Sequence, residues 1–169
     1  MKKILLSLIV SASLIACTNQ ETKTDGQTVP SNATGYTIDS SANTDLVRNA
    51  ANAILKNDTI TYKNCYSSDV KFHDNNDSSN LTQNVAGFQA MHDKGIVSKL
   101  NKIFLWETVV IKPDVGGVTS YVTSFQNYTL TKGSKSINVR FLIIDDIKDG
   151  KQVEEWLRYD NSGIAELMK

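Results

Sequence analysis

Asp74 is the residue whose type and position best suit chemistry in this sequence. It ends a predicted short strand over residues 68–74, in which Val70 and Phe72 alternate with polar side chains. An aspartate that opens into an apolar pocket could act as a general base. An aspartate at a strand end could equally cap the polar loop that follows, residues 75–84. The sequence favours the loop cap over the base.

His73 precedes Asp74 and, by the same alternation, points away from Val70 and Phe72. His73, Asp74 and Asp77 together suggest part of a metal site. No second histidine stands at ligand spacing, so we expect neither a metal nor a cofactor.

Arg140 is a charged residue midway along an otherwise apolar predicted strand. A charge in such a place must be paired or must face a wet pocket. Two interpretations stay open: an ion pair with Glu155 on the neighbouring strand, and a site for an anion.

Several large side chains are either core residues or the lining of a ligand pocket, since such pockets are mostly apolar with a few polar groups. The residues expected to line a pocket are Tyr62, Phe72, Trp106, Tyr121, Phe125, Arg140 and Leu157.

The elements that must position these residues divide into helices first and strands afterwards. Helices are predicted over residues 44–56, 58–66 and 85–94, around the short strand 68–74. Long strands follow over residues 100–112, 118–130, 136–147 and 152–160, with a last helix over 164–168. This order predicts an α+β domain over residues 43–169. The strand over 100–112 is apolar on both faces, so the outer face of the sheet needs cover from a partner subunit or from the preceding segment.

The N-terminus has the layout of a bacterial lipoprotein signal peptide. Lys2 and Lys3 precede an apolar run over residues 4–15, which Ala16 and Cys17 follow. The segment Leu14-Ile15-Ala16-Cys17 resembles a lipobox. Residues 1–16 are therefore the predicted signal peptide, and Cys17 is the predicted acylated residue. Acylation would anchor the protein in the cell envelope, at the outer membrane if the cell is Gram-negative, because Thr18 rather than an aspartate follows.

Residues 17–42 are rich in Thr, Ser, Asn, Gln and Gly, which predicts a flexible tether. Removal of Lys2 and Lys3 leaves 16 basic against 18 acidic residues, a net charge of about −2. No basic patch points to nucleic acid. Cys65 has no cysteine partner once Cys17 is acylated, and we expect it to be a small buried residue.

Two segments carry a family resemblance. Residues 66–74 read Y-S-S-D-V-K-F-H-D and residues 149–156 read D-G-K-Q-V-E-E-W. They resemble the Y-A-D-D-V-x-F-H-D and D-G-K-I-V-E-x-W stretches of the SnoaL-like branch of the nuclear transport factor 2-like superfamily. The resemblance implies a cone, in which a strongly bent, mostly antiparallel sheet wraps around N-terminal helices and leaves a pocket. It also implies a homodimer through the outer face of the sheet.

The steroid isomerase branch of this superfamily offers a test by residue position. Its base position falls on Asp74, but its two oxyanion donors fall on Ala50 and at or beside Leu142, which donate no proton. In other relatives an acid stands where this chain has Leu157. We therefore expect a non-catalytic domain that binds a small apolar or amphipathic ligand or a protein partner. The alternative is an isomerase, dehydratase or cyclase that uses Asp74, with Arg140 as a possible electrophile.

Overall fold

The computed structural model describes residues 22–24, 27–29, 34–112 and 116–169. Strands β1 (Thr22–Thr24) and β2 (Gln27–Val29) pair antiparallel with each other and belong to a unit separate from the domain, Thr34–Lys169. The predicted signal peptide, residues 1–16, and Cys17 lie outside the described residues.

The domain is built on one open sheet of seven strands. Its elements, in chain order, are β3 (Gly35–Ile38), α1 (Ala42–Leu55), α2 (Thr59–Asn64), β4 (Tyr66–Asp74), β5 (Asp77–Asn80), α3 (Leu81–Asp93), β6 (Val97–Val110), β7 (Ser120–Lys132), β8 (Lys135–Lys148), β9 (Lys151–Arg158) and α4 (Ser162–Met168). The strand order is β3-β6-β7-β8-β9-β4-β5, and only the β4–β9 pair is parallel. The predicted α+β class with a mostly antiparallel sheet is confirmed.

The first two helices begin at side chains that satisfy their free amides. Ser41 forms a capping box with Thr44, so α1 begins earlier than its predicted start at residue 44. Asp58 caps α2, as predicted, by accepting a hydrogen bond from the Thr61 amide at 3.0 Å. Both caps therefore fix the residue at which each helix begins.

The prediction that residues 17–42 form a flexible tether is wrong at the C-terminal end of this segment. Residues 35–38 form β3, which pairs with β6 so that Gly35 lies opposite Val110 and Ile38 opposite Glu107. An edge strand of this length needs only the backbone groups of its neighbour and few apolar side chains, so its composition does not reveal it. The domain therefore begins near Thr34 rather than at Asn43.

The predicted loop over residues 75–84 is also wrong. Asn75, with φ of 54°, turns the chain from β4 directly into β5. Asn80 then forms a capping box with Gln83, so α3 begins at Leu81 instead of at residue 85. The polar residues of this stretch form a turn, a short edge strand and a helix cap, which together have the same composition as a loop.

Alternation along the long strands divides the sheet into two faces. The inward residues of β7 include Val122, Ser124, Gln126 and Tyr128, all buried, whereas Phe125 is exposed. On the concave side, α1 presents Val47, Ala50, Ala51 and Ala53, whose small side chains allow the helix to lie close to the strands.

The outer face of the sheet keeps four exposed hydrophobic side chains on four adjacent strands: Phe104, Phe125, Ile144 and Trp156. Their exposed fractions range from 37% to 56%, so this face is only partly covered by the described residues. Among the residues described, no helix is long and apolar enough to cross a membrane.

Candidate functional site

A cavity of about 390 Å³ lies between the helices and the concave face of the sheet. That volume suits a small organic molecule. Residues of α1 to α4 line it from the helical side, and residues of β4 to β9 line it from the sheet. Six aromatic rings contribute to the wall: Tyr62, Tyr66, Phe88, Tyr128, Phe141 and Tyr159.

Two carboxyl groups lie side by side in the wall of this cavity. Asp145 of β8 and Glu155 of β9 are directly opposite each other in the antiparallel register. Their exposed fractions are 0% and 6%. The Tyr66 hydroxyl donates a hydrogen bond to Glu155 Oε2 at 2.7 Å. Outside this pair, no described residue donates a hydrogen bond to Asp145.

Burial and proximity determine how this pair holds its proton. Burial, followed by the adjacent Glu155 charge, raises the pKa of Asp145 well above its usual value. Burial also raises the pKa of Glu155, while hydrogen bonds from Tyr66 and Asp145 oppose the increase. Two carboxylates this close cannot both ionise without a large cost, so the pair shares one proton and titrates as a unit.

Gln152 lies beside this pair with its side-chain amide unpaired. It has no exposed surface, it lines the cavity, and neither Nε2 nor Oε1 has a hydrogen-bond partner among the described residues. A bulge explains its direction: Ile147 is opposite Gln152 but Asp146 is opposite Glu154, which leaves Val153 as an extra residue. Gln152 and Glu155 therefore both face the cavity, although three positions apart.

Asp74 lines the same cavity from β4. It accepts a hydrogen bond from the Tyr159 hydroxyl at 3.0 Å. Burial raises its pKa, and the Tyr159 hydrogen bond partly opposes that shift. The neighbouring Asn75, rather than Asp74, holds the chain at the strand end, because its amide and carbonyl pair with the backbone of Tyr159 at 3.0 and 3.1 Å. Asp74 is therefore placed as a general base would be, and not as a residue that caps its own loop.

His73 is on the opposite side of β4, as predicted. Its Nε2 lies 2.6 Å from Glu154 Oε1, and its ring stacks on Trp156 with centroids 3.8 Å apart. The described residues contain no cluster of three or more His, Cys, Asp or Glu side chains that could hold a metal ion.

The residues expected to line a pocket separate into two groups. Tyr62 and Leu157 line the cavity, and the Tyr62 hydroxyl donates to Asn84 Oδ1 at 2.7 Å. Phe72 is fully buried in the core beside the Tyr66 ring and is not part of the lining.

The expectation that Trp106, Tyr121 and Phe125 line this cavity is wrong. Trp106 and Phe125 border a separate open depression at the β6 edge, and Tyr121 lies on the strand face opposite to Val122. Alternation along β7 places Tyr121 and Phe125 on one face and Val122 and Tyr128 on the other, but it does not show which face the helices cover.

The prediction that Arg140 lines the cavity is also wrong. Arg140 is exposed and lies opposite Asn127, on the outer face of β8. The proposed Arg140–Glu155 pair is wrong, because the residue opposite Glu155 is Asp145. Solvent at the outer face accommodates the Arg140 charge, so it supplies no electrophile or anion site in the cavity.

Sequence reasoning missed Asp145, Gln152 and Tyr159. A usable indication was present for Asp145, since Ile143, Asp145 and Ile147 alternate on one side of β8 and all three are buried. An acid at an inward position of a strand is rare unless it is paired or functional. The bulge hid Gln152, because plain alternation puts Gln152 and Glu155 on opposite faces.

The cavity is acidic, and none of the described residues that line it is a cation. Its described lining includes Asp74, Asp145 and Glu155 but no lysine, arginine or histidine. The Asp74 charge contributes to the raised pKa of Glu155, so the three carboxyl groups share one electrostatic environment. A negative, largely apolar cavity disfavours anionic ligands.

Comparisons with solved structures show what this fold is similar to. A candidate polyketide cyclase from Xanthomonas campestris pv. campestris superimposes with a TM-score of 0.58 at 14% identity, over 76% of this chain and 97% of that one. IdmH, a candidate polyketide cyclase from Streptomyces antibioticus, gives 0.55 at 14% identity, over 75% and 97%. An LEH-like epoxide hydrolase from M. tuberculosis gives 0.53 at 14% identity, over 75% and 89%.

Neither protein-family models nor curated proteins match the sequence. At these identities the structural likeness concerns the fold alone, and it agrees with the resemblance carried by residues 66–74 and 149–156. The domain has the cone fold of the SnoaL-like, nuclear transport factor 2-like superfamily.

Proposed function

We propose that the domain is an enzyme that takes a proton from carbon in a small, mostly apolar substrate held in the cavity. The observation that carries this proposal is the placement of Asp74, Asp145 and Glu155 on the wall of one cavity. Buried acids without cationic partners are costly to the fold, and perturbed carboxyl groups in a cleft are typical of active sites. The reaction class is that of an isomerase, dehydratase or cyclase, since all three begin by removal of such a proton.

Asp74 is the proposed general base. Its half-buried position raises its pKa, which makes its carboxylate a stronger proton acceptor than one in water. The Tyr159 hydroxyl orients it from one side. The proton taken by Asp74 can be returned to a second carbon of the substrate, which completes an isomerisation, or can leave with a departing hydroxyl group as water.

The Asp145–Glu155 pair is the proposed anchor for the polar group of the substrate. Tyr66 holds Glu155 in place, and Gln152 adds an unpaired amide beside it. These groups lie on β8 and β9, in the middle of the sheet, so they form a rigid site.

The expected non-catalytic function rested on the missing oxyanion donors at Ala50 and Leu142 and on the missing acid at Leu157. An Asp74 that capped its own loop would have supported that expectation. In the structure Asn75 makes those contacts, while Asp74 faces the cavity within hydrogen-bond distance of a tyrosine. The polyketide cyclase and epoxide hydrolase folds named above lend the enzymatic proposal weak support, because they show only that this scaffold carries such activities.

Exchange of carbon-bound protons in D₂O tests the proposal without a known substrate. Small ketones that bind the protein are first selected by ligand-observed NMR, and their α-proton exchange is then followed with wild type and variants. We expect exchange faster than in buffer, and Asp74→Asn should reduce it by about 10²–10⁴-fold while binding persists. Glu154→Gln, an equivalent change on the outer face, is the control. Ligands that bind but exchange at the buffer rate would establish a binding module instead.

The envelope location is proposed from the sequence alone. Acylation of Cys17 would anchor the chain in a membrane, since several acyl chains on one residue give stable attachment. An outer-membrane position is proposed for a Gram-negative host. The domain would then act on molecules that reach the cell envelope.

The homodimer stays a prediction, with the outer face of the sheet as its interface. Phe125 lies opposite Phe104 in the register, within the exposed hydrophobic patch that also includes Ile144 and Trp156. Phe125→Glu should yield monomers in sedimentation experiments. Ile60→Glu, at a 74% exposed position on α2, is the control. A monomeric wild type would contradict this prediction.

A further inference from the structure

The polar floor of the cavity has a composition that selects among ligands. It is formed by Asp145, Glu155 and Gln152, which all line the cavity and have almost no exposed surface. Of their hydrogen-bonding groups, the Tyr66 hydroxyl satisfies only Glu155 Oε2. Both oxygens of Asp145 and both amide atoms of Gln152 lack a partner among the described residues, apart from the proton shared within the acid pair.

Buried polar groups in folded proteins nearly always have hydrogen-bond partners, so a group that lacks one needs a physical explanation. Here the unpaired atoms belong to two adjacent strands that line one wall of a cavity whose other lining residues are mostly aromatic and aliphatic. Among the described residues, the rest of that lining contains no cation that could pair with them. A ligand that supplies hydrogen-bond donors and positive charge would satisfy both deficits.

We infer that the substrate carries a primary ammonium group, and that this group binds between Asp145, Glu155 and Gln152. A primary ammonium has three N–H donors and no acceptor. The floor offers three matching acceptors: the two carboxylates and the Gln152 carbonyl oxygen. The aromatic rings around them favour a cation further, through the negative faces of their π-systems. The inference names the substrate class of the site proposed above and rests on that proposal for treating the cavity as the substrate site.

Binding of the cation changes the protonation of the acid pair. In the free protein the pair shares one proton and carries about one negative charge. When the ammonium binds, the O–H bond of Asp145 breaks, its proton passes to a buffer base, and ammonium N–H groups replace it as donor to both carboxylates. The ligand keeps its own protons, so the net result is one cation bound and one proton released.

Other titratable groups act on this pair and must be considered with it. They are Tyr62, Tyr66 and Tyr128 in the cavity wall, Asp74 on β4 next to β9, and Asp146 next along β8. The three tyrosines have pKa values raised by burial and remain neutral at pH 7. Asp74 and Asp146 add negative charge, which increases the attraction for a cation. The released proton is therefore assigned to the acid pair.

Three probes of one shape separate charge from apolar fit: 2-aminoindane, 2-indanol and indane-2-carboxylate. Their binding to the full chain is measured by isothermal titration calorimetry at pH 7. We expect 2-aminoindane to bind at least tenfold more tightly than 2-indanol, and the carboxylate to show no binding. The enthalpy of 2-aminoindane binding should depend on the ionisation enthalpy of the buffer, with release of up to one proton. The 2-indanol enthalpy should not.

Three variants test which residues bind the ammonium group. Asp145→Asn should weaken 2-aminoindane binding by ten- to a hundredfold and change 2-indanol binding by less than threefold. Gln152→Leu should weaken the amine by a smaller factor, and Glu154→Gln should weaken neither probe. The wild-type measurement in two buffers needs no variant and stays informative if one fails to fold.

The inference is overturned if 2-indanol binds as tightly as 2-aminoindane, if no probe binds, or if amine binding releases no proton. Failure of the proposed function has a different result. Amines would then bind with proton release, but bound amino ketones would exchange their α-protons no faster than in buffer.

Discussion

Replacement of Asp145 by asparagine should change how the stability of the domain depends on pH. In the folded protein, burial and the Glu155 charge raise the pKa of Asp145 above its value in the unfolded chain. Between those two pKa values the folded state holds a proton that the unfolded state has released. Stability is therefore greatest below the unfolded pKa, near 4, and falls as pH rises towards the folded pKa.

The size of this pH dependence follows from the one proton that the folded state retains. While the folded state holds one proton more than the unfolded state, the free energy of unfolding falls by about 1.4 kcal/mol per pH unit. Two pH units would thus remove about 3 kcal/mol, a large part of the 5–15 kcal/mol typical of a domain. An asparagine amide can donate a similar hydrogen bond to Glu155 but has no proton to lose. The variant should therefore gain stability relative to wild type as pH rises.

Urea unfolding at intervals from pH 4 to pH 8 measures this difference, with the two tryptophans of the chain as the fluorescent probe. The informative quantity is the unfolding free energy of Asp145→Asn minus that of wild type, because the other carboxylates cancel. It should rise with pH by up to about 1.4 kcal/mol per unit. The same difference for Glu154→Gln, an acid outside the cavity, should stay nearly flat. A flat or falling difference for Asp145→Asn would refute the assignment of a shared proton to this pair.

Three further predictions concern other parts of the chain. A fragment that begins at Asn43 should be less stable than one that begins at Thr34 by at least about 1 kcal/mol in urea unfolding, because it lacks β3 and the Ser41 cap; equal stability would show that β3 contributes nothing. Tyr159→Phe should raise the pKa of Asp74 further in a carbon-detected NMR titration, since the Tyr159 hydroxyl stabilises the carboxylate; an unchanged or lowered value would contradict the hydrogen bond. Cys17→Ser should abolish fatty-acid labelling and membrane association; labelling equal to wild type would exclude the lipobox.

Local features of the fold could be predicted because their causes lie within a few residues. Asp58 caps α2 because its carboxylate reaches an amide three residues away. Asp149 and Gly150 turn β8 into β9 because both adopt positive φ, which aspartate and glycine tolerate in a two-residue hairpin. The alternation of the long strands and the motifs at residues 66–74 and 149–156 were sufficient for the α+β class and the cone fold.

Pairing between distant segments decided the remaining features. Strand β3 exists because β6 offers free backbone groups, and nothing within residues 35–38 shows that neighbour. The direction in which Trp106, Phe125 and Arg140 point depends on which face of the sheet the helices cover. Both faces of these strands are partly apolar, so the sequence pattern was compatible with either choice.

The site shows most clearly which features follow from local sequence and which follow from strand pairing. The sequence by itself indicated a carboxylate at the end of β4, and Asp74 does line the cavity. The tertiary structure alone brought Asp145 opposite Glu155 and, through an extra residue in β9, turned Gln152 to the same side. A bulge shifts alternation by one residue and reverses the face of everything beyond it, and its position depends on the register with neighbouring strands. Alternation in β8 indicates that Asp145 points inward, but its pairing with Glu155 and the placement of Gln152 depend on the register of β8 and β9, which no local pattern in this sequence encodes.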